Sequence, residues 1–252
     1  MGRNFRSEAI VLRNTRFGEI HKAVTLLSPA HGLVSAVAYG AYSAKGKLRG
    51  ITNPLCAGTV FLYRDPVKDS IKITDMDCRE FFEGIRASLT KFFTASVWME
   101  TVMRTFGGEA EAVFSLLALC LRRLDAAREE EVPRLLVQFL WRYLILSGAA
   151  PDTAACCGCG RQREASGALV FTRGGGGFFC PACVPHRGGA VLSLSAGALG
   201  YLAYSTRVPL ENAVSTSPDD ASLAALKSVM LFLIEDLAGG PLNSIKTGAD
   251  VL

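Results

Sequence analysis

An α+β fold is predicted for this chain: a small N-terminal β-barrel, then a helical domain with an inserted four-cysteine segment. Three observations predict it. Five short apolar segments crowd into the first eighty residues. From Phe81 onward the apolar residues recur at helical spacing. Four cysteines, Cys156, Cys159, Cys180 and Cys183, fall in two Cys-x-x-Cys pairs with twenty residues between the pairs.

The strands are expected at residues 8–13, 23–28, 33–39, 59–64 and 70–74, each rich in Val, Ile, Leu, Thr or Tyr. Residues 29–32 (PAHG) make a turn, and 40–50 (GAYSAKGKLRG) read as an exposed loop. Five short strands at close spacing fit an OB-fold in number and length. The helices are expected at 89–104, ended by Gly107-Gly108, and at 110–127, with Arg122 and Arg123 in the last turns. A third follows Pro133, over 134–146, and stops at Gly148. Two more cover 195–205 and 222–238; the second gathers Leu226, Val229, Met230, Leu233 and Leu237 on one face. The domain division expected is 1–79 for the barrel and 80–252 for the helical part, with the cysteine segment at 151–187.

Two residues between thiolates let a tight turn aim both sulfurs at one ion, about 2.3 Å from each. Cys156, Cys159, Cys180 and Cys183 therefore read as a structural zinc site whose four sulfurs fill the tetrahedron. The glycines at 174–177 permit the hairpin between the pairs. An iron–sulfur cluster would use the same four thiolates, and two disulfides are the other pairing. Cys157 and His186 are second-choice ligands. Cys56, Cys78 and Cys120 lie singly in apolar surroundings and read as small core residues.

Half of the 252 residues are hydrophobic, ample for a packed core. The longest apolar run, 135–150, is broken by Gln138, Arg142 and Ser147, and MGRNFRSEAI has no apolar leader core. A cytoplasmic protein is expected. The net charge of +4 is unevenly spread: residues 1–50 hold eight Lys and Arg against Glu8 and Glu19. That asymmetry suggests a polyanion, most simply nucleic acid, held by Arg13, Arg16, Lys22, Lys45, Lys47 and Arg49. Arg122, Arg123 and Arg128 are the alternative. Tyr39, Tyr42 and Tyr63 are candidates for stacking on bases.

No catalytic set emerges. The three histidines, His21, His31 and His186, fall in no hydrolase or metalloprotease motif, and no Gly-Lys-Ser/Thr follows the glycine run. Asp75 and Asp77 are the only pair considered for a catalytic cation. The chain is read as a non-enzyme. The other readings are a metal-dependent nuclease and an RNA-binding zinc-ribbon factor.

Four groups of residues follow one another along the chain: Ala9-Ile10-Val11-Leu12-Arg13 with Gly18-Glu19; Thr25-Leu26-Leu27-Ser28 with the run from Gly32 to Ala41; Leu144 to Gly148, Pro151 and then Cys156 to Gly160; and Leu242-Asn243-Ser244-Ile245-Lys246. In this order they resemble the bacterial recombination mediator RecO family. The family's basic pair after Gly-Ala is replaced here by Tyr42 and Ser43, with Lys45, Lys47 and Arg49 following. The resemblance implies recombinational DNA repair: binding of single- and double-stranded DNA, strand annealing, and action with RecR and RecF. It also implies help in loading RecA on DNA covered by single-strand-binding protein, whose acidic C-terminal tail docks on the helical domain. Arg134 and Arg142, eight residues apart on the third helix, are the candidates to pair that tail's carboxylate. Nucleoid association would follow.

Overall fold

The computed structural model describes residues 3–43, 46–164, 167–185 and 191–252. Lys45 and His186 lie outside the described residues. The chain packs as two compact units, Met1–Ala126 and Ala127–Leu252.

The first unit is built on five strands: β1 (Asn4–Phe17), β2 (His21–Ser28), β3 (Gly32–Ala38), β4 (Ala57–Asp65) and β5 (Ser70–Glu80). They close into a barrel in the order β1-β2-β3-β5-β4, which bears out the OB-like fold. β1 closes it. Its first half pairs with β4, from Asn4↔Tyr63 to Ile10↔Ala57, and its second half with β2, from Ile10↔Leu27 to Phe17↔His21. Between the halves the register shifts by one residue, at Leu12. Such a bulge bends the strand and reverses which side chains point inward. The barrel core includes Ala9, Val11, Val24, Leu26, Val34, Ala36, Val60, Leu62, Ile73 and Met76.

At Gly58, beside a register shift between β4 and β5, a Cβ would lie 2.0 Å from the Asp77 carbonyl oxygen. Only glycine fits there. β5 runs to Glu80, past the end expected at 74, so Asp75 and Asp77 sit inside a strand. The 40–50 segment is not simply exposed: Ala41 and Leu48 are buried in the barrel core.

Three helices complete this unit: α1 (Glu83–Ala87), α2 (Leu89–Thr105) and α3 (Ala110–Asp125). Ser88 caps α2 by accepting from the Lys91 amide. α2 and α3 pack on β1 and β2, which explains why Ile10, Leu12 and Leu27 are buried on the outside of the barrel. Asp125 fixes α1 and α2, its carboxylate accepting from the Ile85 amide and its carbonyl from Lys91 Nζ.

The second unit is organised by α4 (Val132–Leu146), with Pro133 in its first turn. Leu135, Leu136, Val137, Phe139, Leu140, Tyr143 and Leu144 are all buried, so the helix is enclosed nearly all round. The unit's other α-helices among the described residues are α5 (Ala196–Ser205), α6 (Leu210–Ser215), α7 (Asp220–Leu237) and α8 (Asn243–Thr247). Of these, α6 and α7 pack on α4, and α5 packs on both α6 and α7. The cysteine segment adds a small sheet in the order β7-β6-β8, from β6 (Leu169–Thr172), β7 (Phe178–Phe179) and β8 (Val191–Leu194). Phe171 of β6 stacks on Phe232 of α7, and Arg173 pairs with Glu235 at 3.0 Å. Among the described residues no helix is long and apolar enough to cross a membrane.

Gly58→Ala is expected to lower the thermal midpoint of the chain at least as much as Leu62→Ala. The latter empties a core position and costs about 2–5 kcal/mol. An unchanged midpoint for Gly58→Ala would show that β4 and β5 do not approach as described.

Candidate metal centre and basic barrel surface

Local turns aim the four cysteine sulfurs. In the first, the Gly160 amide donates to the Cys156 carbonyl at 2.9 Å, and Gly160 takes a left-handed φ of 69°. In the second, Pro181 opens a short 3-10 turn and the Cys183 amide donates to the Cys180 carbonyl at 2.9 Å. The β6–β7 hairpin joins the turns, with the Cys157 amide donating to the Phe178 carbonyl at 2.7 Å. As a result the sulfurs of Cys156, Cys159, Cys180 and Cys183 all lie within 4.8 Å of one another, and Cys159 and Cys180 are 4.0 Å apart. Tetrahedral bonds of about 2.3 Å put sulfurs about 3.8 Å apart, so the array fits one metal ion.

The surrounding hydrogen bonds favour a charged array. The Cys180 and Gly158 amides donate to Cys156 Sγ at 3.2 and 3.4 Å, and the Cys180 amide does most to hold that thiol down at about 6. Cys183 is pushed up to about 12, first by its hydrogen bonds with Cys180 and Cys159 and then by burial. Four thiolates cannot crowd together without a cation, and a metal ion displaces the protons they share. Gly158 keeps the turn narrow, since a Cβ there would sit 3.1 Å from Cys183 Cβ. Cys157 stands outside the array: it is exposed and lies against Gly177. Cys56 and Cys120 are buried; Cys78 is half-buried, and burial is the main reason its thiol rises to about 12.

The residues expected to meet a polyanion separate into groups. Arg13, Arg16, Tyr39, Tyr42, Lys47 and Arg49 are exposed. Lys22 is 1% exposed. Its side chain points into the barrel mouth, where Nζ donates to the Arg49 carbonyl and to Asn53 Oδ1, both at 2.7 Å. Burial lowers its pKa. Asn14 donates to the Thr52 carbonyl and Asn53 Oδ1, so the inner ends of β1 and β2 fasten the loop that carries Arg49. Tyr42 closes this mouth, with Lys22 Nζ 5.1 Å and the Arg16 guanidinium 5.9 Å from its ring.

Lys47 pairs with Asp75 at 2.7 Å and draws the Asp75 carboxyl below its ordinary range. One of the two acids considered for a catalytic cation is thus engaged. Among the described residues, the four cysteines are the only cluster of three or more His, Cys, Asp or Glu able to hold a metal. Arg122 is likewise paired, to Glu80 at 2.7 and 2.8 Å. Sequence reading did not single out Phe17, His21 and Lys72. Phe17 is 48% exposed, His21 meets Tyr39 edge-on at 4.8 Å, and Lys72 Nζ lies 5.7 and 5.6 Å from the Tyr39 and Tyr63 rings.

In the second unit, Arg134 and Arg142 are half-buried on α4. Arg134 donates to the Val214 carbonyl at 2.8 Å, and more loosely to Ser217. Arg142 donates to the carbonyls of Ser205 and Val208, both at 2.8 Å, and to Gln138. Tyr201, its pKa raised by burial, lies in the field of both guanidiniums. The acidic stretch 129–131 pairs instead with Arg128, through Glu130 at 2.8 Å and Glu131 at 3.7 Å.

Comparison with known proteins gives a consistent result. The family sequence model described as "Recombination protein O N terminal" matches residues 1–82, and "Recombination protein O C terminal" matches 86–246. A protein named DNA repair protein RecO from Gloeobacter violaceus is 30% identical over 187 residues, covering 73% of this chain and 70% of that protein. Its namesake from Bacillus pumilus is 31% identical over 183 residues, 71% of this chain and 68% of that protein. That from Rubrobacter xylanophilus is 28% identical over 212 residues, 84% of each.

Metal analysis of the purified chain is expected to give one ion per chain, and Cys180→Ser to lose it. A chain with four free thiols and no metal would contradict this. Lys22→Ala leaves the Arg49 carbonyl without the Lys22 donor, while Asn53 Oδ1 keeps its hydrogen bond from Asn14, and is expected to cost about 1–3 kcal/mol if that carbonyl stays buried. An unaltered thermal midpoint would contradict the anchoring role.

Proposed function

The chain belongs to the recombination protein O family, and on that premise we propose that it is a non-catalytic mediator of recombinational DNA repair. Its barrel, residues 1–79, binds single- and double-stranded DNA and anneals complementary strands. With RecR and RecF it helps load the recombinase on DNA covered by single-strand-binding protein. The observation that carries this reading is the exposed basic and aromatic surface of a closed barrel, with Arg13, Arg16, Lys47, Arg49, Tyr39 and Tyr42 accessible. Such a surface binds backbone phosphates with little sequence preference, and neutralised strands repel each other less. Lys22 supports the surface from beneath, through the Arg49 carbonyl.

The metal is zinc and its role is structural. Four sulfurs complete a tetrahedron and leave no position for water or substrate. The cysteine segment, 151–187, is held within the helical domain, 80–252. In that domain Arg134 and Arg142 take the acidic tail of single-strand-binding protein. Their partners are carbonyls, a hydroxyl and an amide, and among the described residues no carboxylate pairs with either of them. A desolvated terminal carboxylate needs such a partner. The protein works in the cytoplasm, on the nucleoid.

Changing Lys45, Lys47 and Arg49 together to Ala is expected to weaken binding to DNA of any sequence. The slope of log K against log salt should flatten by roughly one unit per lost phosphate contact. Annealing should proceed without magnesium. Magnesium-dependent cleavage would instead establish the nuclease reading, and a marked preference for RNA the zinc-ribbon reading. In fluorescence polarisation, Arg134→Ala with Arg142→Ala should weaken binding of an acidic, apolar tail peptide; unchanged affinity in a folded protein would place the tail elsewhere.

A further inference from the structure

Beyond the Leu12 bulge, the register arranges the outward side chains of β1, β2 and β3 in rows. Arg13 lies opposite Thr25 and Thr25 opposite Ser35; Thr15 lies opposite Ala23 and Ala23 opposite Val37. Phe17 lies opposite His21, and His21 meets Tyr39. One row is therefore aromatic from end to end, with ring centroids 6.4 Å apart for Phe17–His21 and 4.8 Å for His21–Tyr39. The next row is low, made of Thr, Ala and Val. The third brings Arg13. From aromatic row to arginine is about 13 Å, roughly four nucleotides at the rise of a stacked strand.

The aromatic row is held in place. The Gly40 amide donates to His21 Nδ1 at 2.9 Å, which leaves the proton of the neutral ring on Nε2. The Tyr42 amide donates to the Ile20 carbonyl at 2.9 Å, tying the β1–β2 turn to the segment after β3. Lys72 lies over Tyr39 and Tyr63 and pairs with Asp65 at 3.1 Å. Because Asp65 offsets Lys72, the row itself carries little net charge and offers ring faces more than it offers cations. Phe17 is 48% and Tyr39 44% exposed. Rigid exposed rings, a low floor and a guanidinium beyond it fit a chain of planar groups on an anionic backbone.

We propose that Phe17, His21 and Tyr39 form a stacking platform for the bases of an unpaired nucleic-acid strand, with Arg13 on its phosphates. This rests on the nucleic-acid reading above and adds a selectivity to it. Bases in a duplex present no free face to a ring, so the platform strengthens binding of single strands alone.

The test titrates the full-length chain with a single-stranded oligonucleotide containing 2-aminopurine, whose fluorescence is quenched by stacking, and with the matching duplex. Phe17→Leu and Tyr39→Leu are each expected to weaken single-strand binding roughly ten- to hundredfold and to diminish the quenching, and Phe17→Leu to hold duplex affinity within about twofold. Their salt slopes should match that of the unmodified chain, whereas Arg13→Ala should flatten its own by about 0.7. Tyr39→Phe keeps the ring and should behave as the unmodified chain does. Unchanged single-strand affinity and quenching in both Leu variants would overturn the platform while leaving the nucleic-acid reading intact. Equal losses on single strand and duplex would overturn the selectivity. A chain that binds neither form would overturn both readings.

Discussion

One extra residue in β1 decides which side chains this barrel shows to solvent. Ala9 and Val11 point into the core. Continued alternation would send Arg13, Thr15 and Phe17 there as well. The bulge at Leu12 reverses the parity, so Arg13 pairs with Thr25 on the outer face and Asn14 with Val24 on the inner one. The same bend lets β1 serve β4 with one half and β2 with the other, which closes the barrel. Beside the bulge, at Ile10 and Leu12, the outer face is buried where α2 and α3 pack; beyond it, at Arg13, Thr15 and Phe17, the outer face is open. Fold closure and the placement of the candidate surface thus share one cause.

The two units fix their irregular segments by different physics. In the barrel, Lys22 and Asn14 reach from the strands and donate to the loop's carbonyls and to Asn53. A buried ammonium is tolerable there because two oxygens and an aromatic ring surround it. In the cysteine segment the turns converge on sulfurs whose mutual repulsion a bound metal ion would relieve. That hairpin is fastened to its own unit through Phe171 on Phe232 and Arg173 on Glu235.

Much of this was legible in the sequence. The five strands, the long helices and the cysteine array follow from local spacing, because turn chemistry and hydrophobic period are properties of neighbours in the chain. What was not legible depends on parity and register. Ala9-Ile10-Val11-Leu12 is apolar at every position, since both faces of β1 are covered there. A run without alternation hides the bulge and the strand ends. Lys22 counted as surface charge in a composition argument, yet its inner-face register buries it. Leu48 and Ala41 looked like loop residues because glycine and lysine surround them. Phe17 and His21 carry no motif of their own; only the pairing of β2 with β1 on one side and β3 on the other sets them beside Tyr39.

On the proposed reading a nucleic-acid strand lies on the outer face of β1, β2 and β3. Photocrosslinking the full-length chain to a single-stranded oligonucleotide carrying 5-iodouracil, followed by peptide mass spectrometry, locates that strand. Crosslinks are expected on the peptides that contain Phe17, His21 and Tyr39. Crosslinks confined to residues 127–252 would contradict that reading.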